Sequence, residues 1–150
     1  WMRPVGRDRP TYRYIGADTE ERDGWECLGD IGSLDEDGFL YLNDRRSDMI
    51  LVGGANVFPA EVEAAINLHP GVASSAVIGL PDEDKGNTVH AIIEPKDPHN
   101  PPPHDDLMQH LAEHLVTYKL PRSIEYVDEP LRDDAGKVRR SQLRAARVGA

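Results

Sequence analysis

The pattern of apolar and polar residues divides the chain into two zones. In the first zone, short strand-like runs at 11–15, 25–28 and 39–42 are separated by turn residues such as Asp37-Gly38. These runs are too few and too short to bury a core by themselves. We therefore expect residues 1–47 to be the trailing β-segment of a truncated, larger amino-terminal domain, with unpaired strand edges that lack order or pair with a neighbouring chain.

The second zone, residues 48–150, alternates strands with amphipathic helices. Gly53-Gly54 between two apolar runs predicts a hairpin, and Pro59 begins a helix that continues to about His69 before Pro70-Gly71 ends it. Spacing predicts the remaining elements: strands at 72–79, 88–94 and 123–127, a loop at 81–87, a proline-rich linker at 96–103, a helix carrying Leu107, Leu111 and Leu115, and a terminal helix at 141–148 capped by Ser141. This spacing predicts an α+β domain in which helices cover a small open β-sheet.

Composition narrows the classes of function. The chain has 150 residues and a formal net charge of −10, with a mean hydropathy of −0.56. No apolar run approaches the roughly 18 residues of a membrane-spanning helix, and the chain does not open like a signal peptide. Acidic charge argues against nucleic acid as a partner. A lone cysteine, Cys27, fits a reducing compartment, so we expect a cytoplasmic protein.

Lys137 is the most informative candidate for chemistry. It follows Gly136 in a polar segment that leads into the basic carboxyl-terminal residues. A glycine there lets the backbone approach a ligand, while the ammonium reaches a phosphate as a compact point charge. By spacing alone, a solvated surface lysine is the favoured explanation of this pattern.

Three other segments offer weaker signals. Asp30, between Gly29 and Gly32, presents two acceptor oxygens that suit vicinal hydroxyls such as those of a ribose, although by pattern alone an Asp-Gly turn is the favoured explanation. The charged run 44–48 suits an exposed linker that rotates, or a loop that does not. The small residues at 53–56 would let a ligand chain pass, or simply form a hairpin turn.

Histidines supply the only metal candidate. His110 and His114 have the i, i+4 spacing of helical metal ligands, but no further ligand lies within sequence reach. We therefore expect both on a helix surface and predict no metal site.

Four segments in order along the chain resemble the carboxy-terminal part of the adenylate-forming (AMP-binding) superfamily. They read GWECLGDIG, DEDGFLYLNDRRSDMILVGGANVFPAEVE, SSAVIGLPDEDKGNTVHAIIE and LVTYKLPRSIEYVDEPLRDDAGKVRRSQLR. The superfamily includes acyl-CoA synthetases, the adenylation domains of peptide synthetases and beetle luciferases. The texture of residues 11–16 and of VGGANVFPAEVE is most similar to CoA ligases for fatty, steroid or bile-acid-like carboxylates, which belong to lipid metabolism.

This resemblance implies a two-step ligase that uses ATP, Mg²⁺ and CoA. A carboxylate attacks the α-phosphate of ATP to give an acyl adenylate and pyrophosphate, and the thiol of CoA then displaces AMP. Between the steps a small carboxy-terminal lid domain rotates about a hinge. Motif matching implies that Lys137 is the catalytic lysine of the first step, stabilising charge between carboxylate and phosphate oxygens.

The resemblance also assigns binding residues. It makes Asp30 and Arg45 contacts of the ribose hydroxyls, and Ser47 the hinge residue. It places Gly53, Gly54 and Ala55 on the loop that turns inward beside the path of CoA in the second step. Three departures from the family pattern concern the same sites: a serine at the hinge where Asp or Lys is common, Leu28 where Thr is common, and Ala55 where a larger residue is frequent.

The phosphate loop, the adenine contacts, the magnesium-binding glutamate and the carboxylate pocket of the family belong to an amino-terminal domain. We therefore expect the isolated chain to be inactive, to bind ATP and CoA weakly and to hold no cofactor, whereas the full-length enzyme is expected to be an AMP-forming acid–thiol ligase. The sequence leaves open whether that enzyme is a homo-oligomer. Two alternatives stay open: an adenylation enzyme whose acceptor is a carrier protein or oxygen, and a stand-alone, non-catalytic binding module with the same fold.

Overall fold

The computed structural model describes residues 1–6, 15 and 20–148. Within them the chain divides into two units, Trp1–Ser47 and Asp48–Ala150, which we call the first and the second unit. Apart from Ile15, the predicted strand at 11–15 lies outside the described residues. None of the described helices combines the length and the apolar composition that crossing a bilayer requires.

Two antiparallel hairpins form most of the described part of the first unit, and an isolated antiparallel bridge joins Met2 to Glu26. Strand β1 (Glu20–Arg22) pairs with β2 (Trp25–Cys27), and β3 (Asp30–Leu34) pairs with β4 (Leu40–Arg45). Apolar side chains on β3 and β4 are largely exposed, and of the described residues of this unit only Glu26 is buried. The hairpins themselves therefore bury no apolar core.

The turn between β3 and β4 shows how its local sequence specifies the hairpin. The Asp35 carboxylate accepts hydrogen bonds from the backbone N–H groups of Asp37 and Phe39 and from the Tyr41 hydroxyl. The Phe39 bond is the leading cause that holds the pKa of Asp35 below its ordinary value. Gly38, at a φ of 86°, supplies the left-handed residue that the reversal needs.

The second unit contains five strands and three α-helices in its described residues. In chain order these are β5 (Ile50–Val52), β6 (Ala55–Val57), α1 (Pro59–Asn67), β7 (Val72–Asp82), β8 (Gly86–Pro95), α2 (His104–His114), β9 (Ser123–Tyr126) and α3 (Arg140–Val148), with a 3₁₀ turn at Thr117–Lys119. Strands β5 and β6 form the predicted hairpin, and Pro59 begins α1 as expected.

A three-stranded sheet with the order β7-β8-β9 forms the centre of the second unit. Strand β7 pairs antiparallel with β8, whereas β9 lies parallel to β8, with Ala91 opposite Ile124. A parallel neighbour needs a crossover connection, and α2 lies within that connection.

The core of this unit lies on both faces of the sheet. On one face, Val77 and Ala91 pack with buried residues of α1 and α2 such as Ile66 and Leu111. On the other face, Ile92 belongs to a smaller cluster. Its partly buried members include Leu131 and Val138, from the connection that precedes α3, and Leu143 of α3 itself. The predicted α+β architecture, an open sheet covered by helices, is confirmed.

The structure differs from several local predictions, of which these are the clearest. Strands β7 and β8 extend through most of the predicted loop 81–87. The turn between them is tight because the Asp82 carboxylate accepts the N–H groups of Asp84 and Lys85. Pro81 is tolerated in β7 because β7 is an edge strand of the sheet. Helix α1 ends at Asn67 rather than near His69. Helix α3 begins at Arg140, so Ser141 lies inside its first turn and is not the cap.

Candidate functional site

Lys137 lies on an exposed connection between β9 and α3, and we call residues 130–139 the Lys137 loop. Asp133 organises this loop: its Oδ1 accepts the backbone N–H groups of Ala135 at 3.1 Å and of Lys137 at 2.9 Å. The Asp133 carbonyl accepts the N–H of Gly136 at 2.7 Å, and Gly136 adopts a φ of 73°. The loop is therefore a defined turn whose shape requires glycine before the lysine.

Two arginines and one carboxylate lie beside Lys137. A shallow groove there is lined by Arg132, Arg139 and Asp133 and by the apolar side chains of Leu131 and Leu143, and Arg139 lies 3.6 Å from the Asp133 carboxylate. The Lys137 backbone bond, helped by the nearby Arg139 guanidinium, holds the pKa of Asp133 below its ordinary value. Among the described residues, no ion pair includes the Lys137 ammonium, so the group is available to an anionic ligand.

The amino-terminal end of the Lys137 loop is tied to the sheet. The Leu131 N–H donates to Glu94 Oε2 at 3.1 Å. Arg132 donates from Nε to Ser74 Oγ at 3.2 Å and from Nη1 to the Gly136 carbonyl at 3.1 Å. One arginine therefore joins the tip of the loop to strand β7.

The carboxyl-terminal end is tied more strongly, by a cluster that sequence reasoning missed. Arg140 donates from Nε and Nη2 to Glu63 over 2.8–3.1 Å and from Nη1 to Asp48 Oδ2 at 3.0 Å. Glu63 is only 5% exposed, and its Oε1 also accepts the Val77 N–H at 2.8 Å. Burial raises the pKa of Glu63, and Arg140 opposes that rise.

A signal for this cluster exists in the sequence. Glu63 lies within the buried side of α1, beside Val62 and Ile66. A carboxylate in a buried helical stripe needs a charged or hydrogen-bonding partner. The sequence does not identify that partner, because Arg140 is 77 residues away along the chain.

Asp30 and Arg45, the two predicted ribose contacts, are cross-strand partners on the second hairpin of the first unit. Arg45 Nε lies 3.8 Å from Asp30 Oδ1, and the Arg46 N–H donates to the Gly29 carbonyl at 2.7 Å. The structure therefore brings together a hydrogen-bond donor and an acceptor that are 15 residues apart in the sequence.

Ser47 is the last residue of the first unit, and Asp48 is the first residue of the second. Ser47 is exposed and lies in a turn that follows β4. Its neighbour Asp48 is held by Arg140, as described above.

Gly53 and Gly54 form the two-residue turn between β5 and β6, with φ values of 55° and 87°. Positive φ at both central positions is what a type I′ hairpin turn requires. The Gly53 N–H donates to the Lys85 carbonyl at 2.9 Å, which ties this turn to the β7–β8 turn. Ala55 begins β6. In the described part of the chain, no hydrogen bond or ion pair joins this turn to Lys137.

The structure differs in part from the expectation that His110 and His114 both lie on a helix surface. His114 is exposed, but His110 is half-buried and bonds through Nε2 to the Ala65 carbonyl of α1 at 2.9 Å. Its ring packs edge-on against His69, whose Nε2 lies 3.1 Å from Asp106 Oδ2. His110 therefore joins α2 to α1. Across residues 1–6, 15 and 20–148, no group of three or more His, Cys, Asp or Glu side chains could hold a metal ion.

A second polar cluster ties α3 to β8 and β9. Arg147 donates two hydrogen bonds to the Glu125 carboxylate at 2.6 and 2.7 Å, and these bonds lower the pKa of Glu125. His90 lies 2.7 Å from Ser123 Oγ and 3.3 Å from Glu125 Oε2. Burial lowers the pKa of His90, although Glu125 opposes that effect.

Comparisons with known proteins agree on one family. The family described as "AMP-binding enzyme C-terminal domain" matches residues 61–137. A fatty acid–[acyl-carrier-protein] ligase of Streptomyces coeruleorubidus is 44% identical over 81% of this chain and 23% of its own length. A long-chain-fatty-acid–CoA ligase of Yersinia pestis is 42% identical over 85% of this chain and 22% of its own length.

Solved structures that resemble this chain come from similar ligases. The o-succinylbenzoate CoA synthetase of Bacillus subtilis is 40% identical over 82% of this chain and 25% of its own. Its TM-score is 0.74 in the complex with the acyl-adenylate intermediate OSB-AMP and 0.72 in the complex with ATP and magnesium ion. The chain therefore spans about a quarter of the length of the relatives that it matches.

Proposed function

Because this chain belongs to the family of AMP-binding enzyme C-terminal domains, we propose that it is the carboxy-terminal part of an ATP-dependent acyl-CoA synthetase. The proposal assigns residues 48–150 to the lid domain and residues 1–47 to the end of the adenylation domain. The observation that carries it is the exposed ammonium of Lys137, held on a defined turn without an ion-pair partner among the described residues.

Lys137 acts in the first step. As a carboxylate oxygen attacks the α-phosphorus and pyrophosphate leaves, negative charge on the reacting oxygens must be stabilised. An ammonium provides that stabilisation as a compact charge, and Lys137 is an exposed residue on the turn that Asp133 organises. The neighbouring Arg132 and Arg139 line the same groove, where Asp133, 3.6 Å from Arg139, offsets part of their positive charge.

Asp30 and Arg45 bind the ribose in this proposal. A carboxylate accepts hydrogen bonds from vicinal hydroxyls, and a guanidinium donates to hydroxyl oxygens. Their position on facing strands supports this role, because the β-ladder fixes one beside the other. Ser47 is the hinge, and its place at the boundary between the two units supports that assignment.

The Gly53-Gly54 turn and Ala55 line the path of CoA in the second step. No side chain projects from the two turn residues, and an added Cβ would meet no atom within 4 Å at either glycine. This open space supports close passage of a narrow substrate arm. ATP and CoA are the substrates of the proposed ligase, and Mg²⁺ accompanies the ATP. The described residues lack a suitable group of metal ligands, so we assign no residue of this chain to magnesium.

The proposed acid is a fatty or other large apolar carboxylate. Relatives named for fatty-acid ligation support this class. A cytosolic location is part of the same proposal and is supported by Cys27, which is a free thiol.

A carrier-protein acceptor is the second candidate. One relative that is 44% identical is named as a fatty acid–[acyl-carrier-protein] ligase. Both candidates share the adenylation step and differ only in which thiol receives the acyl group.

The experiment uses the full-length protein with ATP, magnesium and a panel of fatty, aryl and steroid-like acids. AMP release and thioester formation are measured with free CoA or with phosphopantetheinylated carrier protein as acceptor. We expect acid-dependent AMP release with free CoA. Release only with the carrier protein would support the second candidate, and no acid-dependent AMP with either acceptor would contradict the proposed function.

A further inference from the structure

We propose that Arg140 is a positioning residue for Lys137, and that it acts by fastening the lysine loop to the residue that follows the hinge. This inference rests on the proposed function and deepens it. Arg140 is the first residue of α3 and follows Lys137 by three positions. It therefore fixes the position of the carboxyl-terminal end of the Lys137 loop.

The bonding of Arg140 is directional. Its guanidinium uses Nε and Nη2 on the Glu63 carboxylate and Nη1 on Asp48. A planar fork with two fixed donor edges holds both carboxylates at set angles, which a lysine ammonium with rotatable donors does not reproduce. The cluster therefore constrains orientation as well as distance.

Burial makes this constraint strong. The Glu63 side chain is 7% exposed, and those of Arg140 and Asp48 are 21% and 25% exposed. A charge pair shielded from water in this way is weakened less by solvent than a surface pair, and removing one partner leaves an uncompensated charge. The Val77 N–H gives Glu63 a further bond to the buried sheet, so the anchor point itself is rigid.

The placement of the two carboxylates gives the cluster its functional meaning. Glu63 belongs to α1, and Asp48 directly follows Ser47, the proposed hinge residue. One guanidinium thus connects the start of the lid to the end of the loop that carries Lys137. When the lid rotates about Ser47, the Lys137 ammonium then keeps a fixed position relative to that hinge residue. The first step requires this fixed position because it uses the ammonium, and the second step does not.

The test compares Arg140→Lys with Arg144→Lys in the full-length protein. Arg144 lies one turn further along α3 and donates to the Gly79 carbonyl, so it is a matched anchor outside the Lys137 loop. Single-turnover rates are measured separately for acyl-adenylate formation and for thioester formation from supplied acyl adenylate. Arg140→Lys should slow the first step at least tenfold and the second less than threefold, whereas Arg144→Lys should change neither by more than threefold.

A Lys137→Ala background separates positioning from general destabilisation. If Arg140 acts through Lys137, adding Arg140→Lys to Lys137→Ala should slow the first step by less than twofold more. Equal slowing of both steps, or a full additional tenfold loss in that background, would overturn the proposal. If Arg140→Lys does not fold, Glu63→Gln is measured by the same criteria.

Hydrogen exchange keeps this test independent of the proposed function. In the 150-residue chain, the amides of residues 134–139 should exchange at least fivefold faster in Arg140→Lys than in Arg144→Lys. Unchanged exchange would overturn the anchoring argument even if the enzyme is active. If the wild-type enzyme adenylates no acid but exchange responds as expected, the proposed function fails while the anchor remains.

Discussion

The Gly53-Gly54 turn offers the sharpest prediction of stability. Gly54 has a φ of 87°, and a Cβ built on it meets no atom within 4 Å. Gly54→Ala therefore adds backbone strain without a steric clash. This separation lets the conformational cost be worked out alone.

The magnitude follows from two opposing terms. Left-handed backbone costs an L-residue other than glycine, Asn or Asp about 1–2 kcal/mol. Replacing glycine also reduces the entropy of the unfolded chain, which returns about 0.4–1 kcal/mol. We expect Gly54→Ala to lower the free energy of unfolding by about 1 kcal/mol, or the Tm by about 4 °C. Gly54→Asn should lose less, because Asn tolerates this region.

Urea unfolding followed by circular dichroism measures these differences. Gly86→Ala is the matched control: Gly86 has a φ of 76°, equally open space and a place at the other hairpin turn. Both alanine variants should lose similar stability, but only Gly54→Ala should slow thioester formation in the full-length protein. A Gly54→Ala chain as stable as wild type, or more stable than Gly54→Asn, would refute the reasoning.

Other predictions concern the core, pH and ligand binding. Leu111 is fully buried, so Leu111→Ala should cost about 2–5 kcal/mol in urea unfolding, whereas Leu68→Ala, at a side chain that is 65% exposed, should cost under about 0.5 kcal/mol. The lowered pKa values of His90 and Glu125 mean that these two groups bind protons more readily in the unfolded chain, so their contribution to stability is present above pH 6.5 and is lost on acidification, first through His90 and then below pH 4.5 through Glu125. The raised pKa of Glu63 acts in the opposite direction, because protonation of Glu63 on acidification favours the folded chain. The measurement is therefore the difference between the two chains: a His90→Gln chain that keeps the whole wild-type loss of stability between pH 6.5 and about pH 5 would contradict this. Titration calorimetry of the 150-residue chain should detect no micromolar binding of ATP or CoA, and such binding would contradict the need for the rest of the enzyme.

Local chemistry explains which parts of the fold could be predicted. Gly53-Gly54 and Pro59 act on their immediate neighbours, so the sequence indicated the hairpin and the start of α1 correctly. The parallel pairing of β9 with β8 depends on a crossover, which no local pattern encodes. Ser141 looked like a cap, but α3 begins one residue earlier, at Arg140.

Only part of the candidate site could be predicted from the sequence, for the same reason. The motif containing Lys137 was visible in the sequence, and so were Asp30 and Arg45 as separate residues. Their ladder pairing came from the register of β3 and β4, and the Arg140 cluster came from tertiary packing between elements distant in sequence. Contacts of this kind depend on where whole elements pack, which spacing along one helix or strand does not determine.

The central claim is that Lys137 serves the adenylation step and not the transfer to the thiol. The most direct measurement is a comparison of the two half-reactions in full-length Lys137→Ala. We expect acyl-adenylate formation to slow by about 10²–10³-fold, as for loss of one group that stabilises developing charge. Thioester formation from supplied acyl adenylate should stay within threefold of wild type, and an equal loss in both half-reactions, or no loss in the first, would contradict the claim.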